Sequence, residues 1–221
     1  MTHLTQTDEL FFTRAGMDRN RVEGIVGDAL ARADDGELYL EYTQSEGLVF
    51  DDGKLKSASF DTSQGFGMRA VADEAVGYAH AGALDEAAIR RAGDTVQAVL
   101  AGHAGTASDT PIGTNRQLYV DGNPLSLVPF EQKVALLEQI DAYARAKDSR
   151  VRQVSASILG SWTAVQIIRA DGWRAADIRP LVRLNVQVVV GEDDRMEAGS
   201  MGGGGRVAYD LYLKPETWQA Q

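Results

Sequence analysis

The sequence predicts an α+β fold, a mainly antiparallel sheet of two meander-like halves packed with about three helices. Three observations carry that expectation. Runs of alternating apolar and polar residues are joined by hairpin-length turns, three segments show helical periodicity, and strict β-α-β alternation is missing.

Each element follows in order. Asp18 is a helix N-cap, because its carboxylate can accept from the first free amides. Val22, Ile25, Val26, Ala29, Leu30 and Ala33 then recur on one helical face, with Gly36 as the expected stop. Leu38, Leu40 and Tyr42 alternate as a half-buried strand does, and Leu48-Val49-Phe50 runs into Asp52-Gly53, a tight-hairpin signal. Residues 55–60 return, residues 65–71 form a further strand, and Asp73-Glu74 turns the chain into Val76, Tyr78 and His80. A second helix is expected over 85–101, with Ile89, Ala92, Val96 and Val99 inward and Gly102 as its stop. Residues 103–129 mix Gly, Pro, Ser, Thr and Asn and predict a long irregular excursion, a kind of segment often functional or mobile. A third helix is expected over 130–147, with Val134, Leu137, Ile140 and Ala144 inward. Strands follow over 151–159, 164–168 and 178–190, with turns at Asp171-Gly172 and Glu192-Asp193. Val207, Tyr209, Leu211 and Leu213 alternate as one more strand.

The turns Asp52-Gly53 and Asp171-Gly172 are 119 positions apart, as are Asp73-Glu74 and Glu192-Asp193. Within one domain spanning 1–221, this spacing is what a duplicated helix-plus-meander unit over about 18–102 and 130–201 would give. Side-chain identity between the halves is slight, and coincidence of two turns stays open.

Composition excludes several function classes. Thirty-two acidic residues against 22 basic ones give a formal net charge of −10, which argues against a general nucleic-acid or anionic-membrane binder. The absence of cysteine removes disulfides, thiolate metal sites and thiol nucleophiles, and fits a reducing, cytoplasmic compartment. The first eight residues lack the basic and apolar regions of a signal peptide, and no apolar run approaches a membrane span.

Motifs for chemistry are incomplete. Gly65-Phe66-Gly67-Met68-Arg69-Ala70 fits G-x-G-x-x-A, but a second hairpin rather than a helix is expected to follow, so the glycines read as close packing within a strand. His3, His80 and His103 are scattered and form no helical metal pair, and no metal ligand is assigned. His80 reads as a strand residue beside Tyr78, and His103 as a cation at a helix C-terminus. Asp51-Asp52 and Asp193-Asp194 sit at turns, where Asp serves local hydrogen bonding. No G-x-S-x-G elbow is present, so no catalytic residue is assigned. Arg179 and Arg183 flank Pro180-Leu181-Val182 and could bind a carboxylate, or equally pair with the chain's own acids.

The run Gly202-Gly203-Gly204-Gly205-Arg206 lacks the lysine of a phosphate loop. It reads either as a linker or as a hinge or edge opening into a strand, able to accept a peptide by backbone hydrogen bonding. Gly202, Gly203, Gly204, Gly205 and Arg206 are therefore the candidate substrate-binding residues.

Together, Gln64–Ala70, Asp177–Leu184 and Gly202–Arg206 followed by Tyr209 resemble the N-terminal domain of TldD-type proteins, of the TldD/PmbA family also labelled modulators of DNA gyrase. The resemblance covers nearly the whole chain. It implies a bacterial cytosolic zinc metallopeptidase whose H-E-x-x-x-H helix lies in a C-terminal domain, and which works as a homo- or heterodimer of family subunits. That motif has no counterpart here, so the catalytic domain is expected to lie outside this chain, and the chain alone is expected to be inactive. The implied role is to enclose and align unfolded peptide and to support dimer assembly. The alternative is a non-catalytic regulatory module that dimerises with family proteins.

Overall fold

A computed structural model describes residues 2–103, 105 and 118–219. Much of the predicted excursion over 103–129 lies outside the described residues. Its end is ordered as a short helix, α4 (Pro124–Leu127), capped by the Asn123 side chain on the Leu125 amide.

The α+β class holds. The other elements are α1 (His3–Asp8), continued by a π-helical turn (Glu9–Thr13); α2 (Arg19–Leu30); β1 (Asp35–Asp51); β2 (Lys54–Ala72); β3 (Ala75–Ala81); and α3 (Glu86–Val99). There follow α5 (Phe130–Lys147), β4 (Val151–Arg169), β5 (Arg174–Glu192), β6 (Arg195–Gly205), a 3₁₀ turn (Tyr209–Leu211) and α6 (Pro215–Gln219). Among the described residues six α-helices thus replace the expected three. The three long ones are those read from periodicity, and the short ones offered too few turns for a period to register.

The six strands form one sheet in the order β3-β2-β1-β4-β5-β6. Antiparallel register runs from Phe66↔Ala81 to Ala72↔Ala75 between β2 and β3, and from Val182↔Gly205 to Glu192↔Arg195 between β5 and β6. The β1–β2 turn has positive φ at both Asp52 (49°) and Gly53 (76°), the geometry whose twist matches a two-residue hairpin. Several strands expected as separate pieces are continuous: β1 is 17 residues long, and β2, β4 and β5 are 19 each.

By internal contacts the chain divides into two compact units. The first comprises the described residues of Met1–Thr43, Ser63–Arg116 and Thr163–Ile178. Its core joins Phe11 and Phe12, the α2 face (Val22, Ile25, Val26, Leu30), Leu38, Leu40, Met68 and the α3 face (Ile89, Ala92, Val96). Val99, expected inward, is exposed, since α3 ends there and leaves it beyond the packed face. Gly36 is not the stop of α2, which ends at Leu30; it lies in β1, where a Cβ would fall 2.6 Å from the Arg69 carbonyl oxygen. The second unit comprises Gln44–Thr62, the described residues of Gln117–Trp162, and of Arg179–Gln221. Its core packs the α5 residues Leu136, Leu137 and Ile140 against Leu48, Phe50, Ile158, Val182 and Leu184, and against Tyr209, Tyr212 and Trp218.

The expected strand over 207–213 is absent. β6 ends at Gly205, and Tyr209 and Tyr212 are both buried, so the spacing of anchors is three, which a 3₁₀ turn satisfies and a strand does not. None of the described helices is long and apolar enough to cross a membrane.

Candidate functional site

The glycine run is not slack. Gly202, Gly203, Gly204 and Gly205 are the last residues of β6, paired with Asn185, Leu184, Arg183 and Val182 of β5. Residues directly opposite in an antiparallel pair share a face, so Gly202 and Gly204 lie on the face that carries Asn185 and Arg183. The opposite face of β5 buries Val182 and Leu184 in the core of the second unit.

On that face both glycines sit where a Cβ would meet β5. A Cβ on Gly204 would stand 2.6 Å from the Val182 carbonyl oxygen and 3.3 Å from the Arg183 Cα and Cβ. A Cβ on Gly202 would collide with the Asn185 Oδ1 atom. Glycine at 202 therefore lets the Asn185 amide lie across the neighbouring strand, and glycine at 204 lets β6 come close to the β5 backbone. β6 ends the strand order, so its outer edge has no strand partner among the described residues. Such an edge offers backbone donors and acceptors to an extended chain.

A cavity of about 490 Å³ opens on this face, lined among others by Ser155 and Ser157 of β4, Arg183 and Asn185 of β5, and Ser200 and Gly202 of β6. A second, of about 360 Å³, is lined by Ser45, Gly47, Ser59, Leu159 and Leu181. Arg183 borders both. Its Nε donates to Asn185 Oδ1 at 2.9 Å, and among the described residues it makes no ion pair. Ser155 is committed elsewhere, its hydroxyl donating to Asp51; that bond is the main reason the Asp51 carboxyl titrates below its usual range. Arg206 follows the glycine run, with its guanidinium carbon 4.9 Å from the Tyr119 ring centroid, and it lines neither of these two cavities.

Beneath the second cavity lies a buried ion pair that periodicity alone did not flag. Lys133 of α5 is 1% exposed, and its Nζ donates to Glu46 Oε1 at 2.6 Å and to the Leu125 carbonyl at 2.9 Å. It also sits 4.8 Å from the Tyr209 ring centroid. The Tyr209 hydroxyl is buried and makes no hydrogen bond among the described residues. Burial first, and the Glu46 charge second, push its titration above the ordinary phenol range. The sequence signal was a lysine three, four and seven residues before Leu136, Leu137 and Ile140, on the inward stripe.

The other motifs resolve structurally. Gly65 and Gly67 lie inside β2, where a Cβ would meet the Ala81 carbonyl oxygen and the Tyr78 hydroxyl at 2.8 Å each, so close packing accounts for them. Arg69 donates to Asp35 at 2.6 Å and to Glu37 at 2.8 Å, and Arg169 donates to Asp35 at 2.7 Å. His80 lies on β3 with its ring 5.6 Å from that of Tyr78, and His103 Nδ1 is 3.9 Å from an Asp73 carboxylate oxygen. Among the described residues no group of three or more His, Asp or Glu could hold a metal ion.

Comparison with known proteins agrees with this architecture. Residues 36–100 match the PmbA/TldA metallopeptidase domain 1, and residues 123–217 the PmbA/TldA metallopeptidase central domain. The metalloprotease TldD homologue of Haemophilus influenzae is 37% identical over 184 residues, covering 82% of this chain and 38% of that protein. The homologue from Buchnera aphidicola of Schizaphis graminum is 30% identical over 181 residues, 81% of this chain and again 38% of the relative. Two solved structures share the fold: TldE from Thermococcus kodakarensis (TM-score 0.68, 13% identity, 84% of this chain and 43% of that one) and a candidate modulator of DNA gyrase from Bacteroides thetaiotaomicron (TM-score 0.68, 12% identity, 86% and 45%). The chain belongs to the TldD/PmbA metallopeptidase family. It spans about 38% of the length of the curated relatives it matches.

Proposed function

We propose that this chain is the N-terminal, substrate-guiding part of a TldD-like metallopeptidase, aligning unfolded peptide along β6 while a domain outside the chain supplies zinc catalysis. The observation that carries the reading is the edge strand of Gly202–Gly205 beside an open cavity. Backbone pairing to an edge is blind to sequence, which suits a protein that takes unfolded chains. A folded substrate has already spent its backbone hydrogen bonds and is refused. No metal donor set among the described residues accommodates the zinc that the family name implies, so no catalytic step is assigned to this chain.

The same reading includes assembly with a TldD/PmbA-family subunit in the cytoplasm, as homo- or heterodimer, and treats 1–221 as one domain of two duplicated halves. The name of the TldE structure supports a family of more than one subunit type. The outward order β1-β2-β3 and β4-β5-β6 from the middle of the sheet supports duplication.

Amide chemical shifts of Met201–Gly205 test the peptide role. An unstructured peptide should shift the outward-facing amides, and a disulfide-closed folded version of it should leave them unmoved. Equal effects of both, or none from either, would contradict edge pairing.

A further inference from the structure

Resting on that peptide-aligning role, we propose that Arg183 is a carboxylate anchor that sets the position of an extended peptide on β6. Among the described residues, the lining of the cavity that Arg183 shares with Ser157, Asn185 and Ser200 includes no acid. In the second cavity the one carboxylate, Glu46, is already held by Lys133. In a chain of net charge −10, arginines such as Arg69, Arg145, Arg150 and Arg174 are tied to the chain's own acids. Among the described residues Arg183 has only the Asn185 amide oxygen.

That single bond matters for what remains. With Nε committed to Asn185, the two terminal nitrogens are left to meet a carboxylate side by side, the paired geometry in which a guanidinium binds best. The approach is open because the residue opposite Arg183 is Gly204. Neighbouring strands lie about 4.8 Å apart, a distance an arginine side chain can cross when no Cβ stands in the way. Arg183 can thus reach over β6 toward a chain paired on its outer edge. The carboxylate could be a peptide's C-terminus or an Asp or Glu side chain.

Titration of the full chain with three short probes decides between these, read at the Arg183 Nε–Hε signal and the Gly202 and Gly204 amides. The probes are acetyl-trialanine as free acid, the same peptide as its amide, and acetyl-Ala-Glu-Ala amide. The free acid should bind about five- to tenfold more tightly than the amide, as a charge-assisted pair requires. Arg183→Gln should erase that difference while the amide's affinity stays the same, and Arg183→Lys should restore part of it. If the Glu peptide matches the free acid, any carboxylate serves; if it matches the amide, the C-terminus is read. Equal binding of free acid and amide to the wild-type chain overturns the anchor and leaves edge pairing intact. Failure of every probe to move any of these signals overturns both.

Discussion

Gly204 and Gly199 share one strand but not one environment. An alanine Cβ at 204 would press on the Val182 carbonyl oxygen and on the Arg183 backbone, whereas at 199 nothing lies within 4 Å. Gly204→Ala should therefore destabilise by about 1–3 kcal/mol through strain in the β5–β6 pair. Gly199→Ala should be neutral or stabilising by up to about 1 kcal/mol, because it only restricts the unfolded chain. Urea unfolding of both variants checks this, and equal midpoints would refute tight pairing of the glycine run. A second residue sets a pH response. Asp35 lies between Arg69 and Arg169, and its hydrogen bond from Arg69 is the main reason its folded carboxyl titrates below the ordinary value. A depressed carboxyl contributes stability above its unfolded pKa of about 3.9, and that contribution is lost as pH falls through the lower folded value. Asp35 is about a third exposed, so solvent screening holds the gain to about 1 kcal/mol or less. Asp35→Asn should lower the urea midpoint at pH 7 and converge on the wild type only once the pH has fallen below the lowered folded value. A deficit that persists unchanged in acid would assign the loss to packing instead.

At the scale of elements, α5 is fastened by a charge as well as by its apolar stripe. Lys133→Met leaves Glu46, whose side chain is 12% exposed, without its cation and should cost about 3–5 kcal/mol. Adding Glu46→Gln should recover a large part, and a double-mutant cycle on urea midpoints reads the coupling. Independent, additive effects would show that the pair does not hold the helix. α5 also shows what the sequence made legible: its ends at Phe130 and Lys147 were readable because periodicity and flanking Pro129 agree. For α3, Asp85 and Gly102 punctuate both ends, the first accepting from the Ala88 amide and the second at φ +94°. The strand β6 was harder, since its residues 195–202 are exposed and give no alternation; it is a strand because β5 is there to pair with it. The long strands broke into pieces in the sequence because segments such as 54–64 of β2 are exposed on both faces, erasing the period of two. The same limit applies to the site. The glycines and Arg183 could be singled out, but their facing register is a long-range fact that local pattern does not contain.

For the whole molecule, family membership and the chemistry of the described residues pull apart in a way that can be measured. The relatives are metalloproteases, and this chain matches about 38% of their length, yet its histidines sit on α1, on β3 and beyond α3. Peptide hydrolysis by a metal ion needs several donors converging on one ion with an open position for water. A metal held by the native state and not by the unfolded chain must also raise the melting temperature as its concentration rises. Binding of peptide through backbone pairing needs neither. The purified chain should therefore bind unstructured peptide without cleaving it, and zinc or a chelator should leave both that affinity and the melting temperature unchanged. Supplying a TldD/PmbA-family subunit that carries H-E-x-x-x-H is where hydrolysis should appear, sensitive to chelator and weakened by Gly204→Ala in this chain. Chelator-sensitive cleavage by the chain alone would refute this division of labour. So would hydrolysis by the assembled pair that ignores the Gly204 substitution, because peptide would then reach the metal without passing along β6.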